Sequence, residues 1–467
     1  MNEFDAALDS VLRRVIPGCT RMLTCERLSG GANQETYRIR AETRSGTVTL
    51  CLRRAAGGTH SHVPGLPGLA VEARLFRAAA AVGVPEPEVY HVLEATDGVG
   101  EGFIMQWLDG EALGAHIARG EEFAGIRDQL AFQCGQMLAR IHRIDVDSTG
   151  LRSALTERDT GTIIQTSREL YQSYGTPQPM IDYAARWLLD HLPQRVDPTL
   201  VHGDFRNGNI MMDPKRGIVA VLDWEGAHIG DPMRDLGWLC TNSWRFGVTE
   251  KTAGGFGELN DLIAGYETES GAAVDRDRVN FWIVYGSYNW AIGCLTMAHH
   301  YRTGPDATVE RPGIGRRSSE CQVDCANLLI PGSTDLPQPS ATAANLDMPT
   351  DAELLTSVRD FLRGDVMSST DGRTRFLARV AGNSLDILLR EATLGSVYRA
   401  GERRLLMGLL GREGDLFTLR QLLCERLRSG LALDTPQLAE TLRYITLTQA
   451  LIDQPGYSGV KTALAAR

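Results

Sequence analysis

Long apolar runs, an excess of basic charge and a regular cysteine framework are all missing from this chain of 467 residues. The most apolar stretch, residues 281–297, is broken by Tyr285, Ser287, Tyr288 and Asn289, which suits a buried helix and excludes a membrane span. Lys and Arg number 48 against 58 Asp and Glu, a formal net charge of −10. A balance of that sign argues against a life on nucleic acid or on an anionic membrane surface. The nine cysteines are odd in number and irregularly spaced, so reduced thiols are expected and no disulfide scaffold. Cys321 and Cys325 lack the second pair or histidine cluster that a zinc site needs. The start, MNEFDAALDSVLRRVIPG, carries acids early and has neither the basic region nor the apolar core of a secretion signal, so a cytoplasmic protein is expected. No Gly-Lys-Ser/Thr follows the one glycine-rich loop near the N-terminus, which disfavours a P-loop fold.

What is present is ordinary globular material: 43% hydrophobic and 23% charged residues, in a chain long enough for several domains. TYRIRA, TVTLCLRR and GFIMQWL read as strands, with one helical stretch from Ala70 to Val82 among them. Residues 1–108 are therefore expected to form a sheet lobe. Helical spacing of Leu130, Cys134, Met137, Leu138 and Ile141, and again of Met180, Ala184, Trp187 and Leu188, marks residues 109–330 as a helical lobe. PGSTDLPQPSATAANLDMPT has no apolar period, and residues 331–349 read as a linker. Beyond it, residues 350–467 show only helical faces, and Thr435-Pro436 looks like a helix start.

The chemistry concentrates in LVHGDFRNGNIMMDPKRGIVAVLDWEGAHIGDPMRDLGWL, residues 200–239. Two short apolar strands end where polar residues begin, delivering Asp204, Asn209 and Asp223 to loops. Two carboxylates and an amide oxygen supply a base and the hard ligands that Mg²⁺–nucleotide chemistry needs. An isolated Asp-x-x-x-x-Asn is usually a turn; the ordered set of His-Gly-Asp, Asn, apolar strand and second Asp is far more specific.

His202-Gly203-Asp204-Phe205-Arg206-Asn207-Gly208-Asn209 resembles the catalytic loop of the aminoglycoside phosphotransferase and choline kinase-like family, and Asp223-Trp224-Glu225 resembles its metal-binding element. The likeness extends over roughly Leu23 to Leu329. It implies an α+β fold, a two-lobed protein kinase-like domain followed by a separate all-α domain, with ATP and Mg²⁺ as cofactors and a small-molecule alcohol as substrate. By the same resemblance, Asp204 is the catalytic base, and Asn209 and Asp223 hold the metal. Gly30, Gly31 and Asn33 cover the nucleotide, Arg53 reaches its phosphates, Glu72 orients Arg53, and the backbone of Gln106, Trp107 and Leu108 bonds the base. Met105 would line the back of the base pocket. Arg54 alternates to the other face of its strand and is expected in solvent. His202 reads as a loop anchor, and Asp231 and Asp235 as scaffold carboxylates.

Within the family, DWEGAHIGDPMRDLGWL and GGANQET look closest to the branch related to the kinase-like part of acyl-CoA dehydrogenase fusion proteins, and the tail resembles a domain of unknown function found after such phosphotransferases. That favours a hydroxyacyl-CoA or hydroxylated lipid-pathway acceptor over two alternatives, an aminoglycoside or choline-type kinase and a catalytically silent binding or interaction module.

Overall fold

The structure is a computed structural model that describes residues 3–28, 34–59, 65–304, 307–337 and 348–466. The chain forms two compact units, one of Met1–Asp159 with Gln194–Trp282, the other of Thr160–Pro193 with Ile283–Arg467. Sheet and helix are mixed: a kinase-like N-terminal sheet and a C-terminal helical region.

In the first unit, β1 (Cys19–Arg27), β2 (Gln34–Thr43), β3 (Gly46–Ala55), β4 (Val89–Val92) and β5 (Gly102–Gln106) make an antiparallel sheet of order β1-β2-β3-β5-β4. Alternation along β3 sends Arg53 and Arg54 to opposite faces. Arg53 meets helix Leu69–Ala81, whose Glu72 is buried. Arg54 is not in solvent. It donates to Glu35 at 2.7 Å and to the Val99 carbonyl at 2.6 Å, and lies over the Phe4 ring. The reason is helix Glu3–Val15, absent from the strand-based reading, which covers that face by burying Leu8, Val11 and Leu12 against Ile39, Leu50 and Leu52. The helix has acids in its first turn and Arg13 and Arg14 in its last, as its dipole favours.

The rest of the first unit brings the motif loops together. β6 (Thr199–Val201) pairs with β9 (His228–Gly230), and β7 (Ile210–Asp213) with β8 (Gly217–Val221). Helix Arg127–His142 supports both pairs and crosses helix Leu259–Ser270 at glycine-close range. A Cβ on Gly135 would stand 2.1 Å from the Leu262 carbonyl oxygen, and one on Gly265 would stand 2.0 Å from that of Phe132.

The second unit joins residues from both sides of the expected linker, most of whose span lies outside the described residues. Helix Leu416–Arg428 packs on helix Pro179–Asp190, and helix Ser318–Leu329 packs on helices Leu438–Asp453 and Ser458–Ala465. Val323, Leu447, Ala450 and Val460 share one apolar cluster. Tyr457 donates to Asp324 at 2.6 Å. The helix expected to begin at Thr435-Pro436 begins at Leu438, because Gln437 adopts a left-handed φ of 65° and the Thr435 hydroxyl turns back to the Ala432 carbonyl. All nine cysteines are free thiols. Among the described residues no helix is long and apolar enough to cross a membrane.

Arg428 forks onto Asp182 at 2.6 and 2.8 Å, and the Tyr171 hydroxyl also donates to that carboxylate. Asp182 is fully buried. Arg428→Ala strands its charge and should lower the unfolding free energy by about 3 kcal/mol in chemical denaturation. Replacing both partners, as Asp182→Asn with Arg428→Met, should recover part of that loss.

Candidate active site

Asp204 follows β6 and stands at the centre of a tightly bonded loop. Asn209 donates its side-chain amide to the Asp204 carboxylate at 2.6 Å and to the Asp204 carbonyl at 3.0 Å. The other carboxylate oxygen accepts from Arg206 at 2.9 Å and from the Trp238 indole N–H at 2.7 Å. Arg206 also lies 4.4 Å over the Trp244 ring. Neither Arg206 nor Trp238 stood out in the sequence. Trp238 had a legible signal, since it lies one helical turn after Asp235, on the same face of helix Met233–Leu239.

The loop is held from below by Asp235, which is fully buried and accepts the backbone N–H groups of His202 and Gly203 at 2.8 and 2.9 Å and His142 at 3.1 Å. Burial would raise this carboxyl, but those donors outweigh it and hold it below the usual carboxylate range. His202 is buried and neutral: burial lowers its pKa more than the neighbouring carboxylates raise it. Its Nε2 donates to the Leu222 carbonyl at 3.1 Å while Nδ1 accepts the Asp204 N–H at 3.2 Å. One imidazole thus ties the Asp204 loop to the residue before Asp223, which is an anchoring role. The two loops touch so closely that a Cβ on Gly203, at φ 84°, would stand 2.3 Å from the Gly226 carbonyl oxygen.

Asp223 leaves β8 with a left-handed φ of 68°, a conformation that Asp tolerates better than most side chains. Its carboxylate accepts Arg53 at 2.5 Å, and Arg53 pairs through Nε with Glu72 at 3.1 Å. Burial opposes the charge on Arg53, but Glu72 and Asp223 outweigh it and raise its pKa. Burial pushes Glu72 up to about 7 against the pull of Arg53. Glu225, which accepts from Gln34 at 3.3 Å, is raised by burial and by the nearby Asp223. Among the described residues, Glu72, Asp204, Asp223 and Glu225 thus share two guanidiniums, Arg53 and Arg206. That surplus of hard, negative oxygen suits a divalent cation. Among the described residues no group of three or more His, Cys, Asp or Glu forms a metal cage. The donor set is the sparse one that Mg²⁺ takes when phosphates and water complete its shell, and Asn209 and Asp223 could supply the protein's share.

A cavity of about 330 Å³ opens beside Arg53 and Asp223. Leu28, Cys51 and Phe76 line it with Met105, Met211 and Leu222. Its apolar walls and polar end suit a flat base with phosphates attached. Residues 106–108 line the cavity as well. The Gln106 N–H is already taken by the Glu88 carbonyl at 2.8 Å, because β5 continues through it. That N–H is therefore not available to a base, which narrows the expected hinge contact at Gln106 to its carbonyl. Gly30, Gly31 and Asn33 lie outside the described residues.

The family described as the phosphotransferase enzyme family matches residues 24–272, and a domain of unknown function, DUF6285, matches residues 368–457. Acyl-CoA dehydrogenase family member 10 of Mus musculus is 33% identical over 218 residues, 45% of this chain and 19% of that protein. Family member 11 of Pongo abelii is 25% identical over 392 residues, 78% of this chain and 48% of that protein. The chain therefore spans less than half the length of either relative. A crystal structure of an aminoglycoside phosphotransferase homologue from Ralstonia eutropha aligns with 68% of this chain and 95% of its own, at a TM-score of 0.55 and 23% identity, a likeness of fold.

Asp235→Ala would leave two buried amides and His142 without their acceptor. Denaturant titration should show a loss of about 2–4 kcal/mol, the size of a broken buried charge-assisted network.

Proposed function

The chain belongs to the phosphotransferase enzyme family, and from that premise we propose that it transfers the γ-phosphoryl group of ATP to the hydroxyl of a small molecule. The observation that carries this reading is the joint geometry of Asp204, Asn209 and Arg53: a carboxylate bonded to a metal-competent amide on one loop, and a buried cation bridging Glu72 to Asp223 beside a base-sized cavity.

In this reading Asp204 orients the acceptor hydroxyl and takes its proton as the oxygen attacks phosphorus. The bond from phosphorus to the β–γ bridging oxygen breaks, and ADP leaves. Trp238 and Asn209 hold the Asp204 carboxylate in place for that attack. Arg53 binds the phosphates, with Glu72 fixing its fork. Asn209 and Asp223 would hold Mg²⁺, which would supply charge neutralisation to the bound phosphates. Catalysis rests on positioning and charge complementarity.

For the acceptor we favour an anionic hydroxylated compound of the hydroxyacyl-CoA or lipid-acid type. The support is the cation Arg206 on the Trp244 ring, bonded to Asp204 itself. An acceptor arriving at Asp204 would meet the Arg206 guanidinium, whose planar fork suits a carboxylate or phosphate on the acceptor. The two relatives named as acyl-CoA dehydrogenase family members point the same way.

Asp204→Asn should reduce ADP formation by at least about 100-fold over a panel of hydroxylated acceptors, with a melting temperature close to that of the parent. Near-parental turnover in that variant would overturn the mechanism. Arg206→Ala should lower kcat/KM for anionic acceptors more than for neutral alcohols. An equal effect on both classes would remove the argument for an anionic acceptor and leave the phosphotransfer reading standing.

A further inference from the structure

The second unit contains a cavity that the phosphotransfer reading does not use. It measures about 530 Å³, within the range of small-molecule sites. One wall comes from before the linker, with Tyr174, His299 and Arg302, and the other from the tail, with Arg399, Arg420 and Asp453. Arg316 also lines it, so four guanidiniums surround one space.

Three of the four are braced by carboxylates. Arg420 forks onto the buried Glu402, one contact being 2.9 Å. Arg399 reaches Glu391 at 3.3 Å and Glu402 at 3.7 Å. Arg316 holds the buried Asp453 at 2.6 Å. These bonds use Nε and Nη2 of Arg316 and Arg420, and among the described residues their Nη1 groups donate to nothing. Arg302 is exposed and has no carboxylate partner among the described residues. The three carboxylates therefore offset three arginines, Arg302 leaves the wall positive, and unused guanidinium N–H groups remain. The rings of Tyr174 and His299 pack at 4.8 Å beside this charge, and the Tyr174 hydroxyl is fixed on Thr296 at 2.8 Å.

Guanidiniums already locked by carboxylates lose little side-chain freedom when a ligand arrives, and their planar forks match phosphate oxygens two at a time. A carboxylate ligand would duplicate what the protein itself provides. A diphosphate, with oxygens enough to reach several forks, uses what is left over. We propose that this cavity binds an organic diphosphate, and that the helical tail serves to complete it. Neither wall alone surrounds the ligand, which gives the domain of unknown function a physical task. The proposal is independent of the chemistry at Asp204.

The test uses the full chain without Mg²⁺ and compares the parent with Arg302→Glu by titration calorimetry, with inorganic pyrophosphate, ADP and CoA as separate probes. Reading each probe as a difference between the two proteins removes any contribution from the nucleotide cleft. Arg302 is exposed, so the variant should fold, and circular dichroism checks that it does. Arg216→Glu, an exposed charge reversal in the other unit, controls for net charge. The expected result is a tenfold or greater weakening in Arg302→Glu, none in Arg216→Glu, and partial rescue by Arg302→Lys. The probe with the largest loss identifies the source: CoA an acyl carrier, ADP a nucleotide, pyrophosphate the free anion. Equal binding of all three probes by the parent and Arg302→Glu overturns the proposal.

Discussion

Arg53 is a cation placed where water can hardly reach it, between the carboxylates of Glu72 and Asp223. Burying Arg53 and Glu72 is expensive, and the guanidinium offsets that cost by meeting Glu72 on one side and the part-exposed Asp223 on the other. Consequences spread through the first unit. The helix carrying Glu72 must lie against the sheet face that Arg53 leaves, and the loop after β8 must bring Asp223 to the end of β3. Asp223 accepts a left-handed backbone to do so. An Arg at this position rather than a Lys makes the link planar and two-ended, so one residue can fix both partners at once.

The loop of Asp204 is set by a different device. Asp235 gathers backbone amides from below, and His202 passes a fixed tautomer's hydrogen bond across to the Asp223 loop. Neither residue needs to change protonation for this, and both are deeply buried, so the pair works as a brace over the ordinary pH range. The surplus of acidic groups left around the two loops is what a phosphate-bound divalent cation would neutralise. The site is thus rigid in its backbone and unbalanced in its charge, a combination suited to binding a counter-ion with its substrate.

The second unit shows the same use of buried pairs for a different purpose. Asp182 with Arg428, and Asp453 with Arg316, join helices that stand far apart in the chain. Each pair is costly to break from one side, and each stands at a seam between residues before and after the linker. The tail helices cover apolar surface of the helices that precede them, so this unit's core is shared property of both stretches.

Much of this was legible in the sequence because it depends on local order. Period-two alternation placed Arg53 and Arg54 on opposite faces, and the spacing of His202, Asp204, Asn209 and Asp223 located the two loops and the strand pair between them. Reduced thiols followed from irregular cysteine spacing. What escaped depended on contacts between residues distant in the chain. Arg54 looked solvated because nothing local announces that helix Glu3–Val15 will lie over it. The Gln106 N–H looked free to bind a base because nothing local announces that the carbonyl of Glu88, eighteen residues earlier in the chain, claims it. The linker's composition marks where the backbone has no regular structure, but composition carries no information about which faces meet across it. Hydrophobic period and motif spacing are properties of a few consecutive residues and survive in the sequence itself. Which apolar face covers which, and which buried charge finds which partner, is decided only when the folded chain excludes water and each desolvated group must be satisfied by whatever has been brought beside it.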